Sequence, residues 1–254
     1  MRKIFTLAFA ALAFLAANAQ YVCLEKGTVL TYNRTLTDEN GKTDTSELTS
    51  TVIEAEKAAD GVVNVRIETV APIPGTVMGK TTEYSEASFN PNDSTTAIIV
   101  AGEEDSKQSI VDMIKAQVEG AGQVITDDQL NEIKNHITVK GELILVLSPW
   151  MTPETKFKNQ TLTLTMKSPE GSSIIKINLW EIKVLGRETI TVPAGTFDCL
   201  KVSYLQRTSA GGNIMKMYCT EWYADGIGEV KSEMSDSKGG KPVGVSELKS
   251  ITRL

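Results

Sequence analysis

The residue types from which catalytic and metal sites are most often built are scarce in this chain: one histidine, His136, and three cysteines, Cys23, Cys199 and Cys219. Zinc sites draw on short-spaced Cys and His pairs. These four residues form no such pair, so no metal is expected. A catalytic histidine needs a nucleophile or an acid beside it, and the sequence around His136 marks neither. Its place near the end of an amphipathic run suits a helix C-terminus, where the dipole favours a cation. No G-x-S-x-G elbow occurs, and no S-x-x-K pattern stands in a supporting context. Glu103-Glu104-Asp105 and Asp127-Asp128 fall where helices should begin, again a place the dipole explains. Asp38, Asn40 and Gly41 lack the twelve-residue calcium pattern and its closing Glu, and a hairpin turn accounts for them. Gly226-Ile227-Gly228, within EWYADGIGEVKSE, looks like the start of a phosphate loop. The third glycine is absent, and Glu229 to Met234 continue as a strand and not as the helix that phosphate binding requires. No cofactor is expected, and the reading is of a protein that is not an enzyme.

The elements that would position any site begin with a leader. Arg2 and Lys3 precede the uncharged run Ile4 to Ala17, and Ala17-Asn18-Ala19 supplies the small residues of a cleavage site. Residues 1–19 therefore read as a signal peptide, with Gln20 as the mature start. The run is shorter than the ~20 residues of a spanning helix. Val22 stands where lipoprotein processing needs a small residue before Cys23, so lipidation is not expected. The chain has a formal charge of −6, and the leader takes two cations with it. An acidic chain without a basic run argues against nucleic acid and against anionic membrane surfaces. No later segment is long and apolar enough to span a bilayer. A periplasmic or secreted protein is expected, with residues 20–254 as a single domain.

Most of that domain alternates as strands do. Val63, Val65, Ile67 and Thr69 alternate with Asn64, Arg66 and Glu68, and Leu162, Leu164 and Met166 with Thr161, Thr163 and Thr165. In 172–184, Ile175, Ile177 and Leu179 point one way and Trp180, Ile182 and Val184 the other, as in a strand covered on both faces. Turn signals at Asn40-Gly41, Asp60-Gly61, Pro193-Ala194-Gly195, Gly211-Gly212 and Gly239-Gly240 suit hairpins and an antiparallel sheet. A helical insertion interrupts this at about 104–137. Ile110, Met113, Ile114 and Val118 form one stripe that ends at Gly120-Ala121-Gly122. Thr126 with Gln129 reads as a capping box before Leu130, Ile133 and Ile137. Two amphipathic helices on the inner face of an antiparallel sheet make an α+β domain. A hairpin centred on Gly211-Gly212 sets Cys199 opposite a residue near Tyr223, too far from Cys219 for a disulfide. A bulge would change that register, and the pairing stays open.

GRETITVPAGTFDCLKVSY (186–204), EWYADGIGEVKSE (221–233) and SELKSITRL (246–254) together resemble the TapB-like family of exported Bacteroidetes proteins, a domain of unknown function. KGTVLTYNRTLTDENGK (26–42) and LSPWMTPETKFKNQTL (147–162) are similar to its opening hairpin and its proline-bearing middle segment. The resemblance implies a fold like the lipoprotein-carrier half-barrels, in which a curved sheet wraps around helices and shelters an apolar ligand. On that reading the ligand-lining candidates are Ile110, Met113, Ile114, Leu162, Leu164, Met166, Ile175 and Ile177. A lipid or another apolar molecule would be the partner. The competing expectation is an envelope interaction or structural module that grips a protein through Trp222 and Tyr223, which fall on opposite faces of one strand. Asp93-Ser94-Thr95 resembles the O-glycan acceptor pattern of exported Bacteroidetes proteins and lies in an expected loop.

Overall fold

A computed structural model of the chain describes residues 21–38, 40–72, 80–168 and 171–253, with the side chains of Val100, Ala101, Met113, Gln117 and Ser168 excepted. The expected leader and Gln20 lie outside the described residues. The alternating runs form strands β1 (Val29–Thr37), β2 (Thr43–Lys57), β3 (Val63–Pro72), β4 (Lys80–Asn90) and β5 (Thr95–Ala101). Helices α1 (Glu103–Gly120) and α2 (Asp127–Asn135) follow. The chain then returns to strands: β6 (Ile137–Lys140), β7 (Leu143–Leu147), β8 (Gln160–Ser168), β9 (Gly171–Val192), β10 (Gly195–Ala210), β11 (Asn213–Ala224), β12 (Gly228–Ser235) and β13 (Gly244–Thr252). All belong to one open, curved sheet of 13 strands, in the order β6-β8-β9-β10-β11-β12-β13-β1-β2-β3-β4-β5-β7. Every pairing is antiparallel.

The two edge strands, β6 and β7, are consecutive in the chain. Only a strongly coiled sheet brings its opposite edges close enough for a turn of two residues. Gly141 makes that turn at φ +82°, and a Cβ there would stand 2.2 Å from the Thr161 carbonyl oxygen. The Gln160 side chain then does the work of a strand backbone. Its Oε1 accepts from the Ile144 N–H at 2.6 Å, and its Nε2 donates to the Ile144 carbonyl at 2.5 Å. β5 pairs only with Glu86–Asn90 of β4, which leaves the other half of β4 without a strand on that side. α1 packs against β4, and both helices touch β6. The helices therefore close the seam of the sheet. The expected wrapping of the sheet around two helices holds in part: among the described residues, Ile110, Val111 and Leu130 are the helical members of the buried main core, and the rest come from the strands and the segment before β1. The strands' own alternating side chains fill most of the interior, and the fold is mostly β.

Local expectations at the helices hold. Thr126 and Gln129 form the capping box, and His136 caps α2 with its Nδ1 2.7 Å from the Glu132 carbonyl. The Asp93-Ser94-Thr95 stretch lies in the β4–β5 turn, with Ser94 half-buried and at positive φ. β9 corrects one reading. Ile182 and Val184 join the same core as Ile177 and Leu179, while Trp180 stays outside and stacks on Arg207. Glu181, at φ +52°, forms a bulge between Trp180 and Lys183 that shifts the register by one residue. One extra residue exchanges the two faces of a strand.

A second core gathers Leu30, Tyr32, Leu48, Trp222, Val230 and Leu248 under the β9–β10 turn, whose Val192, Ala194 and Phe197 pack against it. The Ala194 N–H donates to the Leu248 carbonyl at 3.0 Å, which pins that turn to β13. Cys199 sits in this second core, opposite Ala224, and Cys219 in the main one, opposite Tyr204. The hairpin is centred on Gly211-Gly212, and all three cysteines are free and buried.

Candidate functional site

The register across β8, β9, β10 and β11 places one set of side chains on the interior face. Leu162, Leu164 and Met166 stand beside Ile177, Ile175 and Ser173; Gln206, Thr208 and Ala210 stand between Leu179, Ile177 and Ile175 on one side and Met217, Met215 and Asn213 on the other. Period-two alternation brings this about, since every second residue of each strand shares the face. Leu162, Leu164 and Ile177 are sealed in the main core with Ile110. Ile114, Met166 and Ile175 border it, half-buried, together with Ile125, Ile133 and Met217. All the apolar residues expected to line a ligand thus belong to one cluster, except Met113. Met113 lies in α1, and its side chain is outside the described residues.

Polar groups share this face, and sequence reading did not single them out. Gln206 and Thr208 are almost wholly buried, yet Gln206 Nε2 and Thr208 Oγ1 make no hydrogen bond among the described residues. A buried polar group without a partner costs about 1–3 kcal/mol. Farther along β11, on the same face, Glu221 is buried and accepts hydrogen bonds from the hydroxyls of Tyr204 and Tyr223. Burial pushes the Glu221 carboxyl up to about 7, although both phenol donors pull it down. Burial also raises Glu229, and the nearby charge of Glu221 raises it further. Tyr204 and Tyr223 are held well above the ordinary phenol range by burial and by Glu221. One sequence signal was available. Leu200 and Val202 set the core phase of β10, and Tyr204, Gln206 and Thr208 continue it with polar atoms.

Tyr223 belongs to the main core and Trp222 to the second, so the sheet is covered on both faces at β11 and neither aromatic is exposed. The Trp222 indole N–H donates to Glu188 at 2.8 Å, and the ring lies under Lys201 and Lys231. Gly226 and Gly228, at φ +69° and +109°, form the turn that follows. Elsewhere, a groove of about 210 Å³ across β2, β3 and β4 is lined by Glu54, Glu56, Arg66 and Glu86 together with Val65 and Ala87. Arg66 is committed there to Asp105 at 2.5 Å and Glu86 at 3.6 Å. Among the described residues no three His, Cys, Asp or Glu side chains are grouped to hold a metal ion. No helix among them is long and apolar enough to cross a membrane.

Residues 123–248 match the DUF3108-like family model, which covers β6 to β12 and nearly all of the face described above. Two solved structures share the architecture. One, from Bacteroides fragilis, is described as an exported protein with a YmcC-like fold. It is 20% identical, with a TM-score of 0.60 over 91% of this chain and 98% of its own. The other, from Parabacteroides distasonis, is described as a lipoprotein. It is 18% identical, with a TM-score of 0.61 over the same shares of the two chains. At these identities the likeness is one of fold. No curated protein matches the chain.

Proposed function

We propose that this is a non-catalytic exported protein of the cell envelope that binds an apolar ligand, such as a lipid acyl chain, between α1, α2 and the inner face of β8–β11. The observation that carries the reading is the pairing on that face of half-buried, adaptable apolar side chains with unpartnered polar atoms. Met166, Ile175, Met217, Ile114 and Ile133 border the core without closing it. Methionine fills irregular space and adapts to varied partners. Gln206 Nε2 and Thr208 Oγ1 would receive the polar end of an amphipathic ligand. α2 is suited to act as a cover, because Leu130 is its only buried residue and a helix of nine residues is marginal alone.

Glu221, whose carboxyl lies nearest neutrality, is sealed from solvent with Tyr204 and Tyr223. That supports a structural role for it over acid–base chemistry. Residues 1–19 would serve as a cleaved signal peptide, and both structural relatives are described as exported or as a lipoprotein. Cys23 packs in the main core beside Tyr21 and Val22. A lipidated cysteine carries its acyl chains into the membrane, so this burial supports an unlipidated protein. The narrower assignment to TapB-like proteins is part of the same proposal and rests on the P-A-G-T-F and G-I-G turns.

The second reading is an envelope module with a filled core, and the dense packing of the strands' own side chains favours it. Native mass spectrometry of the protein purified gently from its own envelope separates the two. The ligand reading expects a mass increment that organic extraction removes. A bare chain that lipids do not stabilise would leave the filled-core reading.

A further inference from the structure

The outer face of the same strands carries a feature independent of the interior. The register aligns Lys140, Thr163, Lys176, Ser209 and Ile214 in one row across β6, β8, β9, β10 and β11. The next row holds Thr161, Asn178, Arg207 and Lys216, and a shorter one holds Thr138, Thr165 and Ile174. No carboxylate stands in these rows. Lys140, Lys176 and Lys216 are exposed, and Arg207 is half-exposed over the Trp180 ring. None of the four makes an ion pair among the described residues. Of the carboxylates flanking these strands, Glu142 lies in the β6–β7 turn, while Glu181 lies at the β9 bulge and pairs with Lys238. Ile174 and Ile214, 47% and 56% exposed, stand on this face near the strand ends.

We infer that this face docks the protein on an anionic lipid bilayer. A chain of net charge −6 that gathers on one surface four cations with no ion pair among the described residues has a local field there of opposite sign to its whole. The linear sequence shows no basic run because each cation comes from a different strand. The exposed isoleucines decide between a bilayer and a soluble polyanion. Apolar side chains beside lysines are stabilised where headgroups meet acyl chains, and a polyanion in water offers them nothing.

Vesicle co-sedimentation tests this, using phosphatidylcholine vesicles with and without phosphatidylglycerol. Wild type and variants carry the same N-terminus, so any contribution from the leader cancels, and circular dichroism confirms that each variant is folded. The protein should bind only the anionic vesicles, and added salt should weaken the binding. Each lysine near an anionic surface contributes about fivefold, so K176E/K216E should lower binding by at least about 25-fold. I174S/I214S should lower it with the lysines intact. Absence of binding to anionic vesicles, or binding unchanged in K176E/K216E, would overturn the inference. So would equal binding to dextran sulfate that I174S/I214S does not alter, since that would mark a site for soluble polyanions.

Discussion

Glu221 holds its place in the core with two phenol hydroxyls and, among the described residues, no ion-pair partner. Its carboxyl titrates near 7 when folded, against an ordinary 4.5, and Glu83, buried near Arg34, is pushed up to about 8. A raised carboxyl binds its proton more tightly in the folded state. The stability it contributes is present below about 4.5 and is lost as pH climbs through 7 and 8. Thermal melting should therefore fall steadily between pH 5 and pH 8.5, and Glu221→Gln should flatten that slope. A wild-type curve that rises over the interval would reject this assignment of protonation. Thiol reactivity gives a second check. Burial pushes the Cys199 thiol up to about 12 and raises Cys219 further, so thiolate is scarce at neutral pH. Iodoacetamide should leave both unlabelled in the native protein and label them in denaturant, as read by intact mass.

At the scale of elements, much was legible in the residues. Alternation located the strands, Thr126 and Gln129 located the start of α2, and the glycine pairs centred the hairpins. Three features escaped for physical reasons. The bulge at Glu181 depends on a positive φ that nothing about a glutamate announces, so unbroken alternation places Ile182 and Val184 on the face opposite the one they occupy. The polar interior of β10 reads like surface until Tyr204 and Gln206 are counted in phase with Leu200. The seam was also hidden, since β6 and β7 meet only through the coiling of the whole sheet. It makes a sharp prediction. Gly141→Ala places a methyl against the Thr161 carbonyl at a strained φ, and should cost at least about 2 kcal/mol in a urea titration. Gln160→Ala leaves the Ile144 backbone groups without their amide partner. Hydrogen exchange at the Ile144 N–H should then accelerate by roughly one to two orders of magnitude, as loss of about 1–3 kcal/mol implies. Unchanged exchange would mean the clasp does not hold the seam.

At the scale of the molecule, one curled sheet presents three different surfaces. Its interior ends in half-buried methionines and isoleucines beside α1 and the short α2, its second face is sealed by the β9–β10 turn, and its outer strands carry cations from separate strands. The ligand-binding proposal depends on the first, where movement of α2 would have to open room for the ligand. The most direct test is titration with a fluorescent fatty acid of wild type and of a variant carrying Ile133→Trp and Met217→Trp, two half-buried positions on the border of the main core. The account predicts saturable binding by the wild type and loss of at least tenfold in affinity in the double variant, with the fold retained by circular dichroism. Failure of the wild type to bind, or equal binding by both proteins, would contradict it.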